Sequence, residues 1–251
     1  GFIEWLENAC CFCNSLVDRI VPGQPSAEKA AALQEELGYQ DRLLTVAEPY
    51  GLWAIEGDAK VAAALSFQQA DPEVVVVTPD IDRFRERKLR LLNGTHTLTC
   101  GLAHLMGFPT VSSAMSDPHM AAFIETLMLK EIAPSIPFSL PPGDAEKFGR
   151  EVLDRFRNPA VEHRWLSITV QYSAKMRLRN IPVLLEHYRT NTHTPVCFAL
   201  GFAAFLCFFH DPKYLVQDDR SAYFIQKWLV NSPEALVEQV LSDAELWGTD
   251  L

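Results

Sequence analysis

From residue 2 to 13 the apolar positions (Phe2, Ile3, Leu6, Ala9, Cys10, Cys13) recur at helical spacing and predict an amphipathic helix. Pro22, Gly23 and Pro25 break the next stretch, so 14–25 reads as an irregular connector. Ser26 is placed to cap a helix from Ala27 to Leu37, which Gly38 closes. The period then changes. Residues 43–46 and 52–55 read as short strands around Glu48-Pro49-Tyr50-Gly51, and the valine run 74–77, bounded by Pro72 and Pro79, is the clearest strand. Beyond Asp80, a good N-cap, the pattern turns helical: 80–106, 118–132, 144–157, 163–172, 181–189, 195–209, 221–230 and 233–247. The pattern predicts a mainly α protein with a small sheet near its start.

Composition narrows the classes. The 251 residues suffice for one large or two small domains. A net charge of −10 argues against general nucleic-acid binding, which needs a basic face. No run of eighteen apolar residues is present, and 196–209, the most apolar stretch, suits a buried helix better than a membrane span. There is no secretory signal pattern, so a cytoplasmic location is expected. Of six cysteines, three cluster at Cys10, Cys11 and Cys13 without a second pair at zinc spacing, so reduced, buried thiols are expected and no metal. The chain opens inside a helix without Met, which reads as a fragment or cloned domain.

Chemistry concentrates in residues 83–97, Arg-Phe-Arg-Glu-Arg-Lys-Leu-Arg-Leu-Leu-Asn-Gly-Thr-His-Thr. Its apolar positions Phe84, Leu89, Leu91 and Leu92 fall at mixed spacings, so a helix is favoured by composition more than by periodicity. On an α-helix Asn93 and His96 meet on one face, and Lys88 lies two turns before His96, about 80° around the axis. An amine, an amide and an imidazole are what a carbonyl reduction needs: a proton donor, a hydrogen-bond donor to the oxygen, and a further polar contact. Taken alone, the spacing equally describes a solvated helix face, and Arg83, Arg87 and Arg90 at i, i+4 and i+7 read as one.

Together with Phe12-Cys13-Asn14-Ser15-Leu16-Val17-Asp18-Arg19-Ile20-Val21-Pro22-Gly23, this stretch resembles the polyol-specific long-chain dehydrogenases, the mannitol dehydrogenase family. Lys88, Asn93 and His96 match its Lys-x4-Asn-x2-His motif, and residues 45–57 resemble its tagaturonate reductase branch. The resemblance implies a mainly α, multi-helical C-terminal substrate domain over 1–251, of the mannitol dehydrogenase and 6-phosphogluconate dehydrogenase type. Lys88 is then the general acid/base, tuned by burial or by Arg85, Arg87 and Arg90, while Asn93 and His96 bind the reacting oxygen and a neighbouring hydroxyl. Val17 and Asp18 line the substrate site, although Asp18 could equally pair with Arg19. Lys175 contacts the far end of the substrate, where it or a nearby Arg would meet the carboxylate of a sugar acid. The family's substrate arginine has no clear equivalent, since Ser167 stands near its place and Arg164 three residues earlier.

The implied cofactor is NAD, bound by a Rossmann domain outside this sequence, because no Gly-x-Gly-x-x-Gly occurs in it. The implied reaction interconverts D-tagaturonate and D-altronate, and the chain alone is expected to be inactive. A fructuronate reductase, a mannitol or polyol dehydrogenase, and a non-catalytic helical interaction domain stand as alternatives.

Overall fold

A computed structural model describes residues 1–211, 214 and 217–249. The chain divides into two compact units, Gly1–Glu86 and Arg87–Leu251.

The first unit opens with α1 (Phe2–Ala9), followed by β1 (Ser15–Asp18), α2 (Ala27–Leu37), β2 (Leu52–Glu56), α3 (Ala59–Ala64) and β3 (Val75–Thr78). The sheet order is β1-β2-β3, with β1 antiparallel and β3 parallel to β2. Ile55, Val61 and Val75 form its core, with Leu65, Val74 and Val77 packed against them. Ser26 caps α2 as expected, its hydroxyl accepting the Lys29 N–H at 3.3 Å. Three expectations are corrected. The 14–25 connector contains β1, whose four residues are too few to show alternation and whose ladder is supplied by β2. Residues 43–46 form no strand; Val46 makes only an isolated bridge to Gly23. The first helix stops at Ala9, because Cys10 is extended at φ −111° and ψ 146°.

The second unit is helical. After α4 (Asp82–Arg87), which begins in the first unit and ends on the first residue of the second, the chain passes through a π-helical turn, Lys88–Gly94, into α5 (Thr95–Leu105). Then come α6 (Val111–Ser116), α7 (Pro118–Thr126) with a second π-turn at Leu127–Ile132, α8 (Asp144–Phe156), α9 (Trp165–Ile168) and α10 (Tyr172–Arg179). The remainder is α11 (Ile181–Thr190), α12 (Val196–Phe208), α13 (Ser221–Val230), α14 (Pro233–Leu241) and α15 (Ala244–Trp247).

The core lies where α5 packs along α12. Phe198, Phe202, Phe205 and Phe208 recur three and four residues apart on α12, so their rings fall on one helical stripe, and all four are buried. Phe205 meets Tyr172 and Phe224 edge-on at 4.7 and 5.2 Å between centroids. No helix among the described residues is long and apolar enough to cross a membrane.

The helix predicted over 163–172 is two. Gln171 takes a left-handed φ of 52°, and α10 restarts at Tyr172. The cause is remote in sequence: the Asp218 carboxylate accepts the Ser173 N–H at 2.6 Å and the Ser173 hydroxyl at 2.7 Å, capping the new helix. The cysteine expectation also changes. All six are free thiols, but only Cys100 is buried, and Cys10, Cys11, Cys13 and Cys207 are exposed.

Candidate active site

In the first unit, Val17 and Asp18 end β1, opposite Trp53 and Leu52 of β2. Alternation on the strand turns Val17 outward, at 62% exposure, and leaves Asp18 buried. The chain just after them is pinned by the turn at Glu48. The Glu48 carboxylate accepts the Ile20 N–H at 2.6 Å, and the Glu48 N–H donates to the Ile20 carbonyl at 3.1 Å. The Arg19 guanidinium donates to the Tyr50 and Pro49 carbonyls at 2.8 and 3.2 Å. The two stretches that carry the family resemblance in this unit are therefore one hydrogen-bonded structure, and it holds Val17 and Asp18 in place.

In the second unit, Lys88, Asn93 and His96 lie on one helical run, but its geometry departs from the expected α-helix. Lys88 and Asn93 are five residues apart, which on an α-helix would put them about 140° from each other. In a π-turn, hydrogen bonds join i and i+5, so the two stack on adjacent turns of the same side. Lys88 and Asn93 are half-buried and His96 is buried.

His96 sits in an aromatic box. Its ring stacks on Phe156 at 4.2 Å between centroids and meets His163 and Trp165 edge-on at 5.0 and 5.8 Å. Burial holds the imidazole well below the usual histidine range, and the charges of His163, Arg179, Arg155 and Lys175 push it the same way. It is therefore neutral at physiological pH. Its Nε2 is buried and has no hydrogen-bond partner among the described residues. Such an atom costs about 1–3 kcal/mol, so a ligand group that meets it is favoured.

This depressed pKa has a consequence for stability. Unfolded His96 takes up a proton below about pH 6.5, and folded His96 does not, so stability is lost as the pH falls through that value. Urea unfolding at descending pH should show His96 contributing a slope of up to about 1.4 kcal/mol per pH unit, absent in His96→Leu. Coincident slopes in the two proteins would contradict a neutral, buried imidazole.

Lys175 lies on α10, its Nζ donating to the Ile168 carbonyl at 3.0 Å. Arg179, one turn along, donates to the Thr97 hydroxyl at 3.1 Å and to the Asn93 carbonyl at 3.4 Å. Burial lowers the pKa of both, and Arg179 lowers that of Lys175 further. Neither is paired with a carboxylate among the described residues, so the pair forms an electropositive wall that an anion would complement.

The arginine face expected at Arg83, Arg87 and Arg90 is corrected. Arg90 is buried, donating to the Leu178 and Arg179 carbonyls at 2.7 and 2.9 Å. Arg87 pairs with Asp144 at 3.2 Å and lies 4.7 Å over the Phe148 ring. Arg85 pairs with Asp82. With carboxylates beside them, Arg85 and Arg87 are poor sources of the positive field expected to tune Lys88.

Sequence reasoning passes over Phe156, Trp165 and Asn180, includes Arg179 only as an unspecified Arg near Lys175, and treats His163 as local. Phe156 belongs to the apolar stripe of α8, but the others reach the site only through tertiary packing. Ser167 and Arg164 are exposed, and the Ser167 hydroxyl donates to the Arg164 carbonyl at 2.7 Å. Among the described residues no group of three or more His, Cys, Asp or Glu could hold a metal ion.

Comparison with known proteins matches both units. Residues 80–251 match the mannitol dehydrogenase C-terminal domain, and residues 1–69 match the mannitol dehydrogenase Rossmann domain. The chain is 36% identical to an altronate oxidoreductase of Bacillus subtilis over 255 residues, covering 100% of this chain and 52% of the relative. It is 38% identical to an altronate oxidoreductase of Yersinia pestis over 264 residues, covering 100% of this chain and 53% of the relative. The chain thus spans about half the length of the curated relatives it matches. Among solved structures, Pseudomonas fluorescens mannitol 2-dehydrogenase in ternary complex with NAD and D-mannitol superposes with a TM-score of 0.77 at 25% identity, over 98% of this chain and 49% of that one. A substrate-free D-sorbitol dehydrogenase shares the fold at a TM-score of 0.68 and 21% identity, over 97% of this chain and 55% of that one. With the mannitol dehydrogenase C-terminal domain matched over 80–251, the chain belongs to the mannitol dehydrogenase family.

Proposed function

We propose that this chain forms the substrate-binding and proton-transferring part of a cytoplasmic, NAD-dependent oxidoreductase that interconverts D-tagaturonate and D-altronate. The observation that carries the reading is the placement of an amine, an amide and a neutral imidazole on one π-to-α helical run, beside two cations without carboxylate partners. Identity of 36–38% to altronate oxidoreductases supports the sugar acid.

The residues in hand do not fit a dinucleotide pyrophosphate, since the sequence has no two glycines one residue apart to form the phosphate turn. NAD is therefore assigned to residues of the whole protein outside these 251, where it would give or take a hydride. This chain acts at the oxygen. Lys88 gives its Nζ proton to the carbonyl oxygen during reduction and takes it back from the hydroxyl during oxidation. The Asn93 amide donates to that oxygen and stabilises its developing charge. His96, uncharged, offers Nε2 to the oxygen or to a neighbouring hydroxyl. The family resemblance also assigns Val17 and Asp18 to the substrate, Asp18 as an acceptor for one of its hydroxyls. Lys175, with Arg179 behind it, faces the carboxylate.

The test is NADH oxidation by the full-length protein with tagaturonate, fructuronate and the neutral ketose fructose. Tagaturonate should be the best substrate. Lys175→Met should raise its KM about tenfold to a hundredfold, the range for losing one charge-assisted bond, and leave fructose nearly unaffected. Preference for fructuronate would move the substrate within the family, preference for fructose would remove the carboxylate from the reading, and turnover of none would favour an interaction domain.

A further inference from the structure

The π-turn is held from outside by Asn180, which the proposed chemistry leaves unused, and by Arg179, which that chemistry sets behind Lys175. Where a π-turn runs into an α-helix the hydrogen-bond register changes, and carbonyls at the junction take other donors. Here the Asn93 carbonyl accepts from the Thr97 hydroxyl at 2.8 Å and from Arg179 at 3.4 Å, and the Gly94 carbonyl accepts from the Asn180 amide at 3.0 Å. The reverse exchange is made by Arg90, whose guanidinium donates at 2.7 and 2.9 Å to the Leu178 and Arg179 carbonyls. Those two carbonyls lie in the last turn of α10 and lack helical donors of their own. Each element therefore satisfies the other's main chain.

Asn180 is fully buried, and its side-chain oxygen has no partner among the described residues. An apolar side chain of equal size would avoid that penalty of about 1–3 kcal/mol, so the amide is accounted for by its donor end. Gly94 admits it: a Cβ there would lie 3.2 Å from the Asn180 Nδ2.

We infer that Arg90, Arg179 and Asn180 form a clamp that keeps residues 88–94 in the π conformation, and that Asn180 and Arg90 are positioning residues for catalysis. The clamp sets Lys88 and Asn93 on the same side of the helix; relaxation to an α-helical register turns the amine away from the amide by a quarter-turn or more. This inference rests on the proposed role of Lys88.

The experiment uses the full-length protein, with kcat expressed per folded site. Asn180→Leu keeps the branched four-atom side-chain skeleton and removes the donor. Misplacing the proton donor by about 1 Å should lower kcat tenfold to about a hundredfold while KM for the sugar acid stays within about threefold. The solvent deuterium isotope effect on kcat should rise, because proton transfer becomes slower, and a purely structural role leaves that ratio unmoved. Arg90→Lys keeps a donor and should recover part of the kcat lost in Arg90→Met; this pair decides the matter if Asn180→Leu does not fold. Wild-type kcat and isotope effect in both Asn180→Leu and Arg90→Met, alongside an inactive Lys88→Ala, would overturn the clamp and keep Lys88. Full turnover in Lys88→Ala would overturn the role of Lys88 and the inference with it.

Discussion

Lys88→Ala should lower kcat for tagaturonate reduction by about 10²- to 10⁴-fold, the span of a positioned general acid, in a protein that melts like the wild type. A free lysine holds its proton to around pH 10.4, and the ammonium is the form that can donate a proton in reduction. The reverse reaction requires the neutral amine. On the proposed reading, alanine removes the proton donor and leaves Asn93 and His96 to bind the oxygen. KM should therefore move little, and the loss should fall on kcat and kcat/KM alike, the signature of an interaction made only in the transition state. Lys88→Arg should rescue poorly, because a guanidinium does not release its proton in this range. An alanine variant within threefold of wild type would remove Lys88 from the chemistry. The measurement is steady-state NADH oxidation with the sugar acid, beside a thermal melt.

Much of this was legible in the sequence, for identifiable reasons. The long helices announced themselves by caps and breakers: Ser232 before Pro233 starts α14, its hydroxyl accepting the Ala235 N–H at 3.3 Å, and Ser26 and Gly38 bound α2. The trio Lys88, Asn93 and His96 was legible as a motif, but not its shape. Apolar positions at 84, 89, 91 and 92 fit no single period, and that irregularity is the trace a π-turn leaves. No local rule converts it into a register, because the donors that hold the turn come from Arg179 and Asn180. The same holds for α10, whose start is fixed by Asp218, and for Arg90, which looked solvated until its carbonyl partners on α10 were placed beside it. Local signals wrote the elements, and contacts distant in sequence wrote the site.

Gly201→Ala should destabilise the second unit by about 3 kcal/mol, at the upper end of overpacking, and lower its melting temperature by roughly 6–12 °C. Two effects compete. Alanine is the better helix former by about 1 kcal/mol, which favours the variant in an exposed helix. Here a Cβ would stand 2.6 Å from the Leu98 carbonyl oxygen and 3.1 Å from the Leu98 Cβ. A main-chain carbonyl cannot rotate aside, so relief requires α5 and α12 to part. Gly101 faces the same seam, where its own Cβ would meet the Tyr172 hydroxyl at 2.7 Å and the Ala204 carbonyl oxygen at 3.3 Å. Parting the helices loosens Leu98, Phe205 and Phe208, all fully buried, and the lost packing outweighs the gain in helix propensity. The strain also reaches the site, because α5 carries His96 and begins where the π-turn ends. The control is Cys207→Ser on the exposed side of α12, expected within about 0.5 kcal/mol of wild type. Urea and thermal unfolding of both variants decide the sign: a Gly201→Ala protein as stable as wild type would mean that helix propensity wins and that the seam yields without cost.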